Sequence, residues 1–260
     1  MRATASIVKA WKQQFLGFLF GLLFAFIACS ILIFIFHVRP RTILRASTVG
    51  TEYVSEPLLE AGIGKGIPEG VVITLINATA TFAQVMLLFM SLLLDPSRIS
   101  EFPSFVRKDM LKESKAQDRL LLLSRRARAI PSYLLRNVYA CLDLIPSIVM
   151  IIPGLMLGAI ASVTLALMGS LVPFAALVAP HSIFEIPAIL LGGALPRAGY
   201  YLVQENLEHG EAEVVFERLR AYIRSKALKV SILIALLLLV VAGIIEAHFT
   251  RIIASWMGVH

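Results

Sequence analysis

From Phe15 to Phe36 the chain runs 22 residues without one charged side chain. An α-helix rises about 1.5 Å per residue, so about 20 apolar residues cross the hydrocarbon core of a bilayer. A helix on a soluble core needs only one apolar stripe, so a run that is apolar all round points to lipid. The basic start (Arg2, Lys9, Lys12) and "FIAC" ending at Cys29 resemble a cleaved leader. However, the run continues through "SILIFIF", beyond the roughly 7–15 apolar residues of a signal peptide, so an uncleaved first span is expected. Composition agrees: 58% of the residues are hydrophobic and 16% charged, against about 45–50% and roughly 25% in soluble domains. The expected fold class is all-α: a polytopic helical membrane protein with five or six spans, in a single transmembrane domain over 1–260.

The spans read at about 15–36, 70–94, 138–160, 162–203 and 229–249. Between the first two, 37–70 is neutral and rich in Gly and Pro ("AGIGKGIPEG") and is placed outside. The second span carries Asn77, Thr79, Thr81 and Gln84, a polar face suited to packing against protein, and ends at "DPSR", a turn or helix-start signal. The segments 97–137 and 204–228 read as amphipathic surface helices. Residues 95–137 hold ten basic and five acidic side chains and include Arg125, Arg126 and Arg128. They and the N-terminus supply most of the +7 net charge, as cytoplasmic segments do under the positive-inside rule. The charge is thus a topology signal, not a nucleic-acid footprint. Arg125, Arg126 and Arg128 form a candidate surface for anionic lipid or a cytosolic partner.

Half of the 12 prolines fall between Pro146 and Pro196. Proline removes a helical hydrogen bond, so Pro153, Pro180, Pro187 and Pro196 are candidate helix breaks, and 162–203 is expected to be broken or re-entrant. The same stretch carries ionisable groups, which are costly at bilayer depth and therefore face protein or water. His181 and Glu185 are four apart and share a helix face, with a hydrogen bond between them the expected link. They read as a structural pair, as a proton or ion relay, or as a metal or hydrolytic site. Glu246 reads as interfacial or as a buried partner of Arg197, His181 or Asn77; Asn77 is by default a helix–helix hydrogen-bonding group, and Asp143 interfacial. No metal or cofactor is expected. The spacing H-x-x-x-E lacks the second histidine of H-E-x-x-H, and no further cluster completes a tetrahedral site. Nor is there a nucleophile-elbow serine. Cys29 and Cys141 read as small apolar residues. "GFLFG" (Gly17–Gly21) and "GLMLG" (Gly154–Gly158) permit close helix approach, but such matches are common by chance.

"APHSIFEIPAILLGGALPRAGYY" resembles the signature of the stage II sporulation protein M family, in which P-H-G-x-x-E-[LI]-P-A is followed by small residues. Pro180, His181, Glu185, Pro187 and Ala188 match; Ser182 stands where the family has glycine, and Pro196 interrupts the small-residue tail. "PGLMLGA" (Pro153–Ala159) is similar to the family's N-G-x-x-x-G segment, with proline in place of asparagine. "GIIEAHFT" (Gly243–Thr250) is similar to its closing segment, which makes Glu246 a family position, and Asn77 corresponds to an asparagine of the second span. The resemblance implies a multi-span prokaryotic membrane protein. The family's named member helps the mother-cell membrane engulf the forespore, in a complex with a wall-degrading enzyme and a further membrane-anchored subunit. Relatives occur in organisms that form no spores.

Three functions are weighed. A non-enzymatic scaffold or complex subunit fits the resemblance and the lack of a complete catalytic set. A permease subunit fits proline-bearing helices around a His/Glu pair. An intramembrane enzyme would use His181 and Glu185 as acid and base. The expected partners are the lipid bilayer and other membrane or cytosolic subunits, with no nucleic acid; homo-oligomerisation is left open. The expected location is the prokaryotic plasma membrane, N-terminus cytoplasmic.

Overall fold

The computed structural model describes residues 2–50 and 69–256. The elements in them are α1 (Arg2–Phe34), α2 (Pro40–Gly50), α3 (Glu69–Leu93), α4 (Pro96–Glu101), α5 (Ser104–Leu121) and α6 (Arg125–Arg128). There follow α7 (Tyr133–Tyr139), a π-helical turn (Ala140–Leu144), α8 (Ile145–Met168), α9 (Val172–His209), α10 (Ala212–Arg224) and α11 (Lys226–Trp256). Five helical stretches are long and apolar enough to cross a membrane: Arg2–Phe34, Thr74–Leu93, Tyr133–Met168, Val178–His209 and Lys226–His248. The chain is an all-α multi-pass membrane protein, with the lower of the two expected span counts among the described residues. Phe20, Leu23, Phe24 and Ile27 of α1 are all more than half exposed. Such a patch is a liability in water and the normal face of a helix in lipid.

Two expectations need correction. The break in 162–203 falls at 169–171, where Gly169 takes φ +67, and not at a proline. Helix α8 runs through Pro153, and α9 runs through Pro180, Pro187 and Pro196. The reason is that in lipid every other backbone group must bond within its own helix, so ending a helix costs more than losing one bond. Pro173, Pro180 and Pro187 are also seven apart, which keeps them on nearly one face and confines the lost bonds there. Second, the surface segments are shorter than expected. The third apolar stretch already begins at Tyr133, and α9 extends to His209. Helix α2 lies inside the segment 37–70, whose "AGIGKGIP" lies outside the described residues.

The helix ends follow side-chain chemistry. In "DPSR", Asp95 caps α4: its carboxylate accepts from the Ser97 amide at 3.0 Å, with Pro96 in the first turn. Gly210, at φ +75, stops α9. The Glu211 amide donates to the Asn206 carbonyl (2.9 Å) and the Gly210 amide to that of Leu207 (3.2 Å), the pairing of a Schellman cap.

The chain divides into two compact units. The first comprises Met1–Lys12, Phe82–Ile148 and Leu191–Ile232. Its core includes Leu88, Leu135, Leu142, Leu195, Phe216 and Leu219, all fully buried. Its short helices are tied down by polar contacts. Arg136 grips Asp118 with two N–H groups, at 2.5 and 3.0 Å; Asn137 donates to the Ser114 carbonyl; Arg220 pairs with Asp95. The Tyr222 hydroxyl donates to the Leu195 carbonyl at 3.0 Å.

The second unit comprises Gln13–Thr81, Val149–Leu190 and Leu233–His260. Here the two glycine motifs meet. A Cβ at Gly154 would strike the Phe18 carbonyl oxygen and lie 3.0 Å from the Leu22 nitrogen; one at Gly158 would strike the Leu22 carbonyl oxygen. The backbones of α1 and α8 therefore approach where only glycine fits. Further along the same pair, the Ser30 and Ser162 hydroxyls hydrogen-bond at 3.0 Å.

Candidate functional site

In the second unit, His181 and Glu185 project from one face of α9, a turn apart. The ring Nε2 lies 3.9 Å from a Glu185 carboxylate oxygen, an ion-pair contact too long for the expected hydrogen bond. Glu246 of α11 joins them, and one donor atom from each of the three residues lies within 4.8 Å of the others. The His181 and Glu185 side chains are only 14% and 20% exposed. His181 Nδ1 is buried and has no hydrogen-bond partner among the described residues. Spacing singled out the His/Glu pair; the third member comes from a helix about 60 residues away, which no local pattern encodes. Asn77, half-buried on α3, has no hydrogen bond to any of the three.

A second polar set lies in the first unit. Pro146 lacks the N–H that would bond the Leu142 carbonyl, and the helix widens just before it. There the Ile145 amide reaches back five residues to the Ala140 carbonyl. The π-turn carries Asp143, which is 4% exposed, its carboxylate turned into protein. Arg197 Nε lies 2.9 Å from one carboxylate oxygen and Arg126 Nη1 3.5 Å from the other. Arg197 thus pairs with Asp143 rather than Glu246. Tyr139 and Tyr200 pack edge-on beside them at 5.6 Å, and Lys9 sits over the Tyr201 ring at 4.4 Å. Arg125 and Arg128 are exposed, whereas Arg126 turns part of its reach inward to Asp143.

The two sets differ in chemistry. Asp143 and Arg197 neutralise each other and fix the helix carrying each, a structural arrangement. His181, Glu185 and Glu246 gather two carboxylates and one imidazole, an excess of acceptors able to hold a proton or a cation.

Residues 138–251 match the family model described as Stage II sporulation protein M. The match includes Asp143, His181, Glu185, Arg197 and Glu246 and leaves residues 1–137 outside it. No curated protein and no solved structure matches the chain.

Proposed function

We propose, from the premise that the chain belongs to the stage II sporulation protein M family through residues 138–251, that it is a non-enzymatic subunit of a prokaryotic plasma-membrane complex. Its role is to hold other proteins at the bilayer. One observation carries this reading: outside the five apolar stretches, α4 to α6 expose large apolar side chains on a firmly anchored support. Phe105 is 68% exposed and Leu123 80%, while Asp118–Arg136 and Asp95–Arg220 fasten the segment. Phe105 opens onto a shallow groove with Val106, Met110, Glu113 and Gln117. Covering a Phe or Leu side chain is worth about 1.5–3 kcal/mol each, enough to anchor a docked helix. Arg125 and Arg128 beside Leu123 favour an acidic partner surface. The basic N-terminus and the basic 95–137 segment favour placing both in the cytoplasm.

Recovery of tagged protein from native membranes in mild detergent tests the reading. Stoichiometric membrane or cytosolic subunits, lost in Phe105→Glu/Leu123→Glu at unchanged protein level, support it. Protein that comes out alone, or partners that survive the double change, reject it; retained partners with lost vesicle binding assign the patch to lipid.

A permease subunit is the second reading, favoured by the meeting of His181, Glu185 and Glu246 within apolar helices. Cation flux into proteoliposomes that stops in Glu185→Gln with assembly intact would favour it over the scaffold.

A further inference from the structure

We propose that Arg39, Arg41 and Arg45, on and just before α2, form a binding strip for the phosphate headgroup of an anionic phospholipid. The strip lies outside the matched residues 138–251, and lipid binding there requires neither a docked protein nor flux.

The fold sets the strip at headgroup height. From Gln13 to Phe34, α1 has 22 residues and rises about 33 Å, close to the ~30 Å of a hydrocarbon core. Phe34, Ile35 and Phe36, where that length ends, are 55%, 64% and 67% exposed, a collar suited to acyl chains. His37 then takes φ +54, a left-handed turn, and the chain enters α2 three residues later. Ile43 of α2 is buried with Ile33, Ala159 and Val163, and Val38, Leu44 and Ala166 pack against them. The apolar face of α2 is thereby fastened to α1 and α8, and its other face is turned outward.

That outward face is basic and unopposed. From Gln13 to Thr51 the chain has no acidic residue, and its only bases besides His37 are Arg39, Arg41 and Arg45. Arg41 and Arg45 stand a turn apart, both opposite Ile43 on the helix, with Arg39 just before the first turn. All three side chains are exposed, and none pairs with a carboxylate among the described residues. Orientation of the span does not account for them. Three bases precede it (Arg2, Lys9, Lys12) and these three follow it, so the two groups cancel as a topology signal.

One occupant meets both halves of this surface. An anionic phospholipid brings acyl chains to Phe34–Phe36 and a phosphate to the arginines. A guanidinium holds a phosphate through two parallel N–H···O bonds. A basic helix face joined directly to a span is drawn to an anionic headgroup layer in this way.

The test uses full-length protein in mild detergent, titrated with phosphatidylglycerol or phosphatidylcholine, with bound lipids counted by native mass spectrometry. The parent should hold phosphatidylglycerol in preference to phosphatidylcholine. A basic side chain at an anionic surface is worth roughly fivefold. Arg39→Gln/Arg41→Gln/Arg45→Gln should therefore weaken phosphatidylglycerol binding by about 100-fold and leave phosphatidylcholine unchanged, while lysine at the same three positions keeps most of the preference. Equal retention of the two lipids by the parent overturns the proposal, as does a preference that survives the triple glutamine change. Displacement of the lipid by glycerol 3-phosphate would assign the strip to a free phosphate and also overturn it. If the triple variant does not fold, the single ones decide: Arg41→Gln and Arg45→Gln should each lose about fivefold, and unchanged retention in both sinks the idea.

Discussion

Four glycines in two motifs offer a test in which the sequence change is the same and the structure alone sets the outcome. A Cβ at Gly21 sits 2.5 Å from the Ile151 carbonyl oxygen, where ordinary contact begins near 3.4 Å, a shortfall of 0.9 Å. The obstacle is backbone and cannot rotate away. At Gly158 the Cβ meets the Leu22 carbonyl oxygen and lies 2.9 Å from the Phe26 nitrogen. At Gly17, one turn before Gly21 on the same helix, the nearest atom is Ile151 Cγ1 at an ordinary 3.8 Å. Alanine gains about 0.8–1 kcal/mol of helix propensity over glycine at each position, so that term cancels between Gly17→Ala and Gly21→Ala. What remains is the cost of parting α1 from α8, about 1–3 kcal/mol for an overpacked contact. Thermal melting in a single detergent reads it at about 2–4 °C per kcal/mol for a chain of this size. Gly17→Ala should melt at or above the parent, and Gly21→Ala, Gly154→Ala and Gly158→Ala below it. Once one methyl has parted the helices, the next finds room, so Gly21→Ala/Gly154→Ala should cost less than the two singles together. Equal melting of all four single variants, or a fall in Gly17→Ala to match Gly21→Ala, would refute the close crossing.

Asp143→Asn leaves Arg197 facing a neutral amide, and breaking a buried pair in this way costs about 3–5 kcal/mol. Asp143→Leu with Arg197→Met should melt closer to the parent than Asp143→Asn does; if the double change is the worse of the two, the pair has a role beyond neutralisation. Tyr222→Phe removes the hydroxyl that donates to Leu195 and should cost about 1 kcal/mol at neutral pH. Burial also raises the Tyr222 phenol above its ordinary 10.0. Its contribution is therefore complete below pH 10 and lost as pH rises through the raised value; the alkaline fall in melting temperature should be smaller in Tyr222→Phe, and an unchanged fall would rule out that origin.

How much of this was legible depends on the range of the force concerned. Spans show in sequence because lipid imposes its requirement residue by residue, and Phe15–Phe36 meets it alone. His181 and Glu185 show because four residues make one turn. The prolines misled because a rule drawn from water was applied in lipid, where the unbonded alternative is worse than an imperfect helix. The groove at Phe105 did not show, because exposure is settled by packing from distant segments. The Asp143–Arg197 pair is the instructive case, since it was within reach. Asp143 lies 27 residues before Ser170 and Arg197 lies 27 after it. A turn at 169–171 sends the two helices back along each other, so equal distances from it mean equal depth. An acid and a base at equal depth, each isolated among apolar neighbours, are obliged to meet.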